Sequence, residues 1–451
     1  MPRVTLIHPC LGRRAGERHG LRTWEMQPLW AAALAASTPP DVELRLYDDR
    51  LEKIPFDEPS DLVALSVETY TARRAYQIAS EYRRRGVPVA MGGIHATLCP
   101  EEVAEYAESV VIGEAGQTWP RLLDDLRNGR LEKFYRPGAL APLTGLRYGR
   151  HVFQGKRYLP IKLIEVGRGC RLACEFCAVQ SAFQNTYRQR PIDEVIAEVA
   201  APDSPGSRAK LIFFIDDNLA CEPDRLKELL RALIPLRVRW VGQAGINATR
   251  DPELLDLVVR SGCRCLLIGF ESLQPANLLR MNKPINEAHG GVEQAVSELR
   301  RFRVPVYGTF LFGCDADTPR DFPRTVEFCV AHGFLLAAFA QLMPFPGTPL
   351  YRRLAAEHRL LHESWWLDPS YTYNTVAFQP RHLSPEDLRR ECLAARRAFY
   401  SWPGMLRRGA LAGLRQGTFW TVNLLHHAEV GLRDGHPLGD ESWTQPLLRA
   451  R

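Results

Sequence analysis

The sequence has no apolar run that approaches the roughly 18 residues a helix needs to cross a bilayer. Its opening stretch, MPRVTLIHPC, also lacks the pattern of a secretory signal, because its apolar segment is too short and is better interpreted as a buried strand. We therefore expect a cytoplasmic protein with no membrane span.

The sequence also lacks an RNA-binding motif, although its net charge is +6 and its pI is about 8.7. The arginines are spread over helical stretches such as 81–85 and 389–397 instead of forming one basic tail. This spread is typical of solvated helix faces. We therefore expect no nucleic-acid partner.

Regular cysteine spacing is absent from most of the chain, so a disulfide framework is not expected. Most of the scattered cysteines have apolar neighbours, which is typical of free buried thiols. These eight are Cys10, Cys99, Cys221, Cys263, Cys265, Cys314, Cys329 and Cys392. The other three form a compact group that needs a separate explanation.

Short apolar runs alternate with amphipathic stretches over residues 1–130, and this alternation predicts a parallel sheet covered by helices on both faces. We expect strands at 4–9, 42–48, 62–68, 87–93 and 109–114, with helices at 24–36, 72–85, 100–106 and 119–128. The fold class is α/β, with an open doubly wound, Rossmann-like domain at the front. Ligands of such sheets bind beyond the carboxyl ends of the strands.

Residues 131–160 interrupt this alternation with Pro137, Pro142 and several glycines, and we interpret them as a linker with a small hairpin. A second alternation over 161–350 predicts a partial barrel of six βα units. Its expected strands are 161–167, 210–217, 239–246, 265–272, 304–313 and 336–345. Active sites of barrels lie at the carboxyl ends of their strands. Residues 351–451 are predicted to be mostly helical.

Three cysteines in the segment GRGCRLACEFCAV (167–179) have the spacing C-x3-C-x2-C, and they follow the first barrel strand. A [4Fe–4S] cluster is normally held by four thiolates, so Cys170, Cys174 and Cys177 would leave one iron open to a small molecule. The alternatives are a zinc site completed by a remote ligand and three incidental buried thiols. No second C-x2-C pair follows, as a zinc knuckle would require.

This trio at the end of the first strand of a six-unit barrel resembles the radical S-adenosylmethionine (SAM) superfamily over about residues 160–350. The resemblance implies that SAM chelates the open iron through its amino and carboxylate groups. One electron from the cluster would then cleave the sulfonium, and the resulting 5′-deoxyadenosyl radical would abstract a hydrogen atom. The protein would orient the cofactor and exclude water.

The resemblance also implies roles for polar and glycine residues at the strand ends. Asp216, Asp217 and Asn218 match a motif for the methionine ammonium, although a helix N-cap is an equally reasonable interpretation. Glu271 and Ser272 are expected at the ribose hydroxyls. The remaining expected SAM contacts are Phe176, Gly308, Gly313 and Pro344, together with Gln243, which could instead face the substrate or be a core amide.

A doubly wound domain ahead of such a barrel resembles the cobalamin-binding branch of the radical SAM superfamily, on stretches such as VAMGGIHAT (89–97) and VVIGEAGQTW (110–119). The resemblance implies a corrin and nucleotide-tail cleft. Its expected lining residues are Ser66, Glu68, Thr69, Gly92, Gly93, Gly113 and Glu114. Glycines there would let the backbone approach a bulky ligand, or would serve turn geometry alone.

One departure from that branch concerns the cobalt-ligating histidine, which many cobalamin domains carry in an Asp-x-His-x-x-Gly loop. The corresponding loop, 10–26, has no such motif, and His19 has the wrong neighbours. Many members of the branch lack the motif and bind cobalamin without it. The loop also carries arginines that could fill the cleft, at positions 13, 14, 18 and 22.

Three functions remain open at this point. The first is a cobalamin-dependent radical SAM C-methyltransferase, served by an electron donor of the flavodoxin or ferredoxin type. The second is a cobalamin-independent radical dehydratase of amino sugars, in which Asp216, Asp217 or Glu271 would be the general acid–base group. The third is a non-catalytic iron–sulfur or cobalamin carrier. We expect the first, with a small metabolite as substrate.

Overall fold

The protein is described by a computed structural model that covers residues 1–17, 25–202, 211–412 and 416–450. Two six-stranded parallel sheets organise it, and we call them the front sheet and the barrel sheet. The predicted α/β fold class is confirmed.

The front sheet has the strand order β2-β1-β3-β4-β5-β6, in which β1 and β3 are neighbouring interior strands. Four consecutive residues of β1 and four of β3 are buried, because parallel strands covered on both faces need continuous apolar runs. The strands are Arg3–His8 (β1), Glu43–Asp48 (β2), Leu62–Ser66 (β3), Val89–Gly92 (β4), Ser109–Val111 (β5) and Phe134–Tyr135 (β6). The helices are Leu29–Ala36 (α1), Ala72–Arg84 (α2), Ile94–Leu98 (α3), Pro100–Ala104 (α4) and Ala115–Arg127 (α5).

The segment 131–160 does not form the expected hairpin. Its strand β6 pairs in parallel with β5, so it extends the front sheet instead of folding back on itself. A short 3-10 helix follows at Arg150–Phe153 and packs near α1. Tyr135 is fully buried and donates a hydrogen bond to Asp125 at 3.0 Å, which fixes β6 against α5. The hairpin prediction was wrong because turn residues alone do not specify the pairing partner.

The barrel sheet has the order β14-β13-β12-β11-β10-β7, and the six predicted strands are all present. They are Ile161–Ile164 (β7), Leu211–Phe214 (β10), Trp240–Ala244 (β11), Cys263–Glu271 (β12), Val306–Phe312 (β13) and Leu336–Gln341 (β14). A small antiparallel pair, Gly167–Gly169 (β8) and Tyr187–Gln189 (β9), lies beside them. The helices are Ala178–Phe183 (α6), Ile192–Ala200 (α7), Pro223–Leu233 (α8), Pro252–Arg260 (α9), Pro275–Arg280 (α10), Gly291–Arg301 (α11) and Asp321–Ala331 (α12).

Four helices follow the barrel, as predicted: Pro349–Ala356 (α13), Pro385–Phe399 (α14), Trp402–Ala412 (α15) and Gln416–Glu429 (α16). The aromatic interval between α13 and α14 belongs to the apolar core of the front sheet. Trp365, Trp366 and Tyr371 are buried there beside Met343 of the barrel. Among the described residues, no helix has the length and apolarity that a membrane span requires.

A buried arginine joins the last helices to the barrel. Arg408 of α15 is fully buried and donates to the backbone oxygens of Phe334 and Phe399, each at 3.0 Å, and to Oδ1 of Asn423 at 2.8 Å. Its guanidinium also lies 3.7 Å from the ring centroid of Phe399. Because every one of these partners is buried, removing the guanidinium would leave unpaired polar groups in the core.

We expect Arg408→Ala to lower the free energy of unfolding by about 3 kcal/mol, through the cavity and the unpaired acceptors that it creates. Its sequence neighbour is the matched control, since Arg407 is 58% exposed and contacts only Glu327. Arg407→Ala should change stability by less than about 0.5 kcal/mol. Denaturant titration followed by circular dichroism measures both, and equal effects of the two substitutions would contradict this assignment.

Candidate cluster and cofactor site

The cysteine loop begins directly after β7 and is shaped by the β8–β9 pair. Gly169 of β8 has φ +88°, and a Cβ there would overlap the backbone oxygen of Thr186 on the opposite strand. Only glycine fits at this position, so the Gly-Arg-Gly turn is a structural requirement for the loop. Cys170 follows at once, and Cys177 is the residue before α6.

A buried carboxylate holds the start of this loop. Asp216, after β10, is 3% exposed and accepts hydrogen bonds from the backbone N–H of Val166, at 2.9 Å, and of Gly167. Burial raises the pKa of Asp216 well above its usual value, and the two N–H donors oppose this shift. Both oxygens are therefore engaged by the loop. The geometry favours a positioning role, and the catalytic role remains a prediction.

The next two residues also contact the cysteine loop. Asp217 accepts a hydrogen bond from the N–H of Gly169 at 3.1 Å. Asn218 has its amide nitrogen 3.9 Å from the sulfur of Cys170, while its amide oxygen accepts from the N–H of Ala220 and of Gly245. The N-cap interpretation of Asn218 therefore holds for the short 3-10 helix at 219–221 and not for α8.

All eleven cysteines lie in the described part of the chain and are free thiols. Within those described residues, no group of three His, Cys, Asp or Glu side chains converges tightly enough to hold a single metal ion. A cubane fits the trio better, because its thiolates bind different irons instead of a common one.

A fourth thiol lies near the trio, and the cysteine spacing in the sequence did not indicate this proximity. The sulfur of Cys221 is 3.9 Å from that of Cys170. A hydrogen bond from Cys221 lowers the pKa of Cys170 to about 6, whereas burial raises the pKa of Cys174 to about 12. Cys170 and Cys174 thus have different surroundings.

The two residues expected at the ribose behave differently. Glu271 ends β12, is 7% exposed and contacts Lys283. Ser272 uses its hydroxyl oxygen to accept from the N–H of Gln274 at 3.0 Å and from Asn277 at 3.3 Å. Ser272 thus organises the start of α10, whereas Glu271 keeps one carboxylate oxygen without a hydrogen-bond partner among the described residues.

The remaining barrel residues are spread over its rim. Gln243 donates to the backbone oxygen of Asp217 at 2.9 Å, and the oxygen of Pro344 accepts from Trp365 at 3.0 Å. Phe176 is partly buried against the barrel core. A Cβ at Gly308 would meet Phe334, and one at Gly313, where φ is +96°, would meet Leu388 and Phe378. Gly308 thus leaves room for the ring of Phe334, and Gly313 leaves room for Phe378 and for Leu388 of α14.

A cavity of about 580 Å³ opens at the carboxyl ends of the front strands. Ser66, Gly92, Gly93, Gly113 and Glu114 line it, which brings together five of the seven residues expected there. Its other walls come from α1, from the segment 139–147, and from Arg168, Ala182 and Phe183 beside the cysteines. The front sheet and the cysteine loop therefore share one cavity.

The other two expected cleft residues are placed differently. Thr69 is buried and lies 3.2 Å from Nδ1 of His95, whose Nε2 lies 3.2 Å from Glu102. Glu68 is accessible to solvent, but surrounding protein raises its pKa. In the arginine-rich loop, Arg13 is buried on Asp49 and Arg14 is exposed, so neither fills the cavity. The positions 18, 19 and 22 lie outside the described residues.

Two arginines that the sequence analysis missed connect the cavity to the cysteine loop. Arg168, two residues before Cys170, contacts Glu114 at 2.9 Å and Glu165 at 2.6 Å. Arg188 of β9 contacts Glu114 as well. Glu114 thus binds the hairpin that shapes the cysteine loop. The arginine within the Gly-Arg-Gly turn could have indicated an ion pair at this loop, but the sequence does not show that Glu114 is its partner.

Comparisons with known proteins agree with this geometry. The family model described as the radical SAM superfamily matches residues 164–329. Bacteriochlorophyllide d C-12(1)-methyltransferase of Chlorobaculum tepidum is 31% identical over 353 residues, covering 77% of this chain and 76% of the relative. The chain belongs to the radical SAM superfamily. Within it, the front sheet ahead of the barrel is typical of the cobalamin-binding branch.

Further likenesses extend over most of this radical SAM enzyme. Bacteriochlorophyllide d C-8(2)-methyltransferase of the same organism is 29% identical, covering 84% of this chain and 87% of the relative. The methyltransferase TsrM of Kitasatospora setae, solved with cobalamin and a [4Fe–4S] cluster, aligns with a TM-score of 0.64 at 19% identity and covers 87% of this chain and 82% of its own. The cobalamin-dependent enzyme OxsB aligns with a TM-score of 0.65 at 13% identity, and the alignment covers 95% of this chain and 72% of OxsB. These two structural matches establish the shared fold.

We expect Gly169→Ala to abolish cluster retention, because the added methyl group would force the β8–β9 pair apart and displace Cys170. Gly155→Ala is the matched control, since Gly155 also has positive φ, +79°, but has no atom within 4 Å of its Cβ position. Iron content after anaerobic reconstitution measures the difference. Normal iron content in Gly169→Ala would contradict the requirement for glycine.

Proposed function

We propose that the chain is a cobalamin-dependent radical SAM C-methyltransferase acting on a small molecule. The shared cavity is the observation that carries this proposal. Methyl transfer to a carbon radical requires the radical source and the methyl donor to be near each other. A cavity lined both by the front strand ends and by Arg168 beside the cysteines meets that requirement.

Cys170, Cys174 and Cys177 would hold a [4Fe–4S] cluster with one open iron. When bound, the cluster supplies the electron that cleaves SAM. The chain's own part is to keep the loop in place, through Asp216 and the Gly169 turn, and to keep the thiols shielded from water. Cys174 is only 6% exposed, which suits an oxygen-sensitive group.

Residues at the barrel rim would bind SAM. Glu271 suits the ribose hydroxyls, because a carboxylate oxygen without a partner on a buried strand end can accept two hydrogen bonds. The amide nitrogen of Asn218 lies 3.9 Å from the sulfur of Cys170, so it is close to the proposed cluster. Asp216 and Asp217, whose oxygens accept backbone N–H groups, would support this surface instead of binding SAM directly.

The front cavity fits part of a cobalamin. Gly92, Gly93 and Gly113 line it with backbone alone, and Gly93 has φ +100° with no room for a Cβ beside Val67. His95 is fully buried between Thr69 and Glu102, so it is not available as a cobalt ligand. We therefore propose that cobalamin binds without His95 as a cobalt ligand. Bound there, it supplies the transferable methyl group.

The two alternatives have less support. A dehydratase needs a free general acid–base group, but Asp216 and Asp217 are engaged by backbone N–H groups and Glu271 is paired with Lys283. The two Chlorobaculum tepidum relatives and TsrM are named as methyltransferases. A non-catalytic carrier does not fit a member of an enzyme superfamily with an open strand-end cavity.

The substrate and the electron donor are proposed only as classes. A bacteriochlorophyllide is the first compound to test, because that is the substrate named for the two Chlorobaculum tepidum relatives. A flavodoxin- or ferredoxin-type donor would reduce the cluster from outside. Arg171, beside Cys170, is 58% exposed and would be accessible to the acidic surface of such a donor.

The test is to purify the protein without oxygen, reconstitute it with iron, sulfide and hydroxocobalamin, and measure bound metals and products. We expect about four irons and one corrinoid per chain, with methylated product formed from SAM. Cluster iron without any retained corrinoid would overturn the methyl-transfer proposal. Absence of cluster iron would overturn the proposal as a whole.

A cavity-filling substitution distinguishes cobalamin binding from binding of the cluster and SAM. Ala33 of α1 lines the cavity, and Ala33→Phe should abolish corrinoid retention and methylation while iron content and SAM cleavage persist. Ala410→Phe is the control, because Ala410 is an exposed helical alanine on α15, far from the cavity lining. Undiminished corrinoid binding in Ala33→Phe would place the cofactor elsewhere.

A further inference from the structure

Lys283 is a buried cation next to the cluster loop that the proposed function does not use. It follows α10, is 7% exposed, and its ammonium contacts the carboxylate of Glu271. It also donates to the backbone oxygen of Gly269 at 3.0 Å. A buried ammonium is costly unless it is paired, so this placement needs both acceptors.

The backbone around the pair is specialised for it. A register shift between Gly269 and Glu271 interrupts the pairing of β12 with β13, and Glu271 itself has φ +64°. A Cβ at position 269 would overlap Oε1 of Glu271 and lie 2.9 Å from Nζ of Lys283. A larger residue at position 269 would therefore displace one member of the ion pair. Positive φ in a glutamate is unfavourable and persists only where the surroundings determine it.

A second side chain holds the backbone at this register shift in β12. Asn286 is fully buried, and its amide donates to the backbone oxygens of Gly269 at 3.0 Å and of Phe270 at 2.9 Å. The carboxylate is therefore held by its backbone conformation and by one ammonium. Its other oxygen, Oε2, has no hydrogen-bond partner among the described residues and is free for a ligand.

The ammonium also acts on the cysteines. The segment before Lys283 is attached to the cysteine loop, because the N–H of Glu175 donates to the backbone oxygen of Met281 at 3.0 Å and the amide of Asn282 donates to that of Ala173 at 2.9 Å. Burial raises the pKa of Cys174, and the charge of Lys283 opposes this rise. Lys283 thus contacts the expected SAM ligand from a segment that also contacts the cysteine loop.

We propose that Lys283 is a positioning residue for SAM: it fixes the Glu271 carboxylate and places a permanent positive charge beside the cluster ligands. This inference rests on the proposed function, since it assigns Glu271 to SAM. It predicts two separable effects. Loss of Lys283 should weaken SAM binding through Glu271, and it should make the cluster harder to reduce, because reduction adds negative charge.

Lys283→Met is the test variant, studied as cluster-loaded full-length protein. We expect SAM affinity, measured by equilibrium dialysis, to fall about tenfold, the size of one charge-assisted hydrogen bond. The midpoint potential of the cluster, followed by electron paramagnetic resonance, should become more negative. Lys227→Met is the control, because Lys227 of α8 is also paired with carboxylates, Asp251 at 2.6 Å, Glu253 at 3.0 Å and Asp224 at 4.0 Å, none of which is an expected SAM contact. It should change neither quantity.

A double-mutant cycle tests whether Lys283 acts through Glu271. Glu271→Gln alone should weaken SAM binding, and adding Lys283→Met to it should weaken binding no further. The paired variant leaves no lone buried charge, so it remains informative if Lys283→Met loses its cluster. Additional loss of SAM affinity in the paired variant overturns the positioning role. So does SAM affinity within twofold of the parent in Lys283→Met.

Failure of this inference is distinguishable from failure of the proposed function. The parent protein reports on the proposed function through its iron, corrinoid and SAM binding. The Lys283 and Glu271 variants report only on the arrangement at the end of β12. A parent that binds SAM normally alongside unaffected variants would leave the proposed function intact and remove Lys283 from it.

Discussion

The buried contact between the carboxylate of Asp216 and the N–H groups of Val166 and Gly167 is the constraint on which the site depends. It attaches the turn that follows β7 to the end of the neighbouring strand β10. The positions of the β8–β9 pair and of the three cysteines depend on this turn. Because parallel strands end at one edge, Glu271 reaches the same region from β12.

Much of this could be predicted from the sequence, because the signals were local. The alternation of apolar runs specified both parallel sheets, and all eleven strands expected from it are present. The cysteine spacing specified the loop. Glycines at strand ends, such as Gly92 and Gly113, marked the cavity floor, since each needs only its own backbone to be recognised.

The rest depends on contacts between distant parts of the chain. The prediction of a hairpin at 131–160 failed because pairing of β6 with β5 is decided by the neighbouring sheet edge. Lys283, Arg168 and Arg188 were missed for the same reason, as charged residues look alike in sequence until their partners are known. The carboxylates Asp216 and Glu271 were found, but only the structure distinguishes the one held by backbone from the one held by an ammonium.

Residues 436–440 pack against the start of the front sheet, and this has a consequence for folding during synthesis. Arg13 forms a backbone β-bridge with Asp440, the backbone oxygen of Gly12 lies 3.0 Å from Nε2 of His436, and Arg74 contacts Asp440. The strands of the front sheet are synthesised long before this segment, which covers part of their core. The strands can pair early, but that part of the core must wait, exposed, until residues 436–440 have been made.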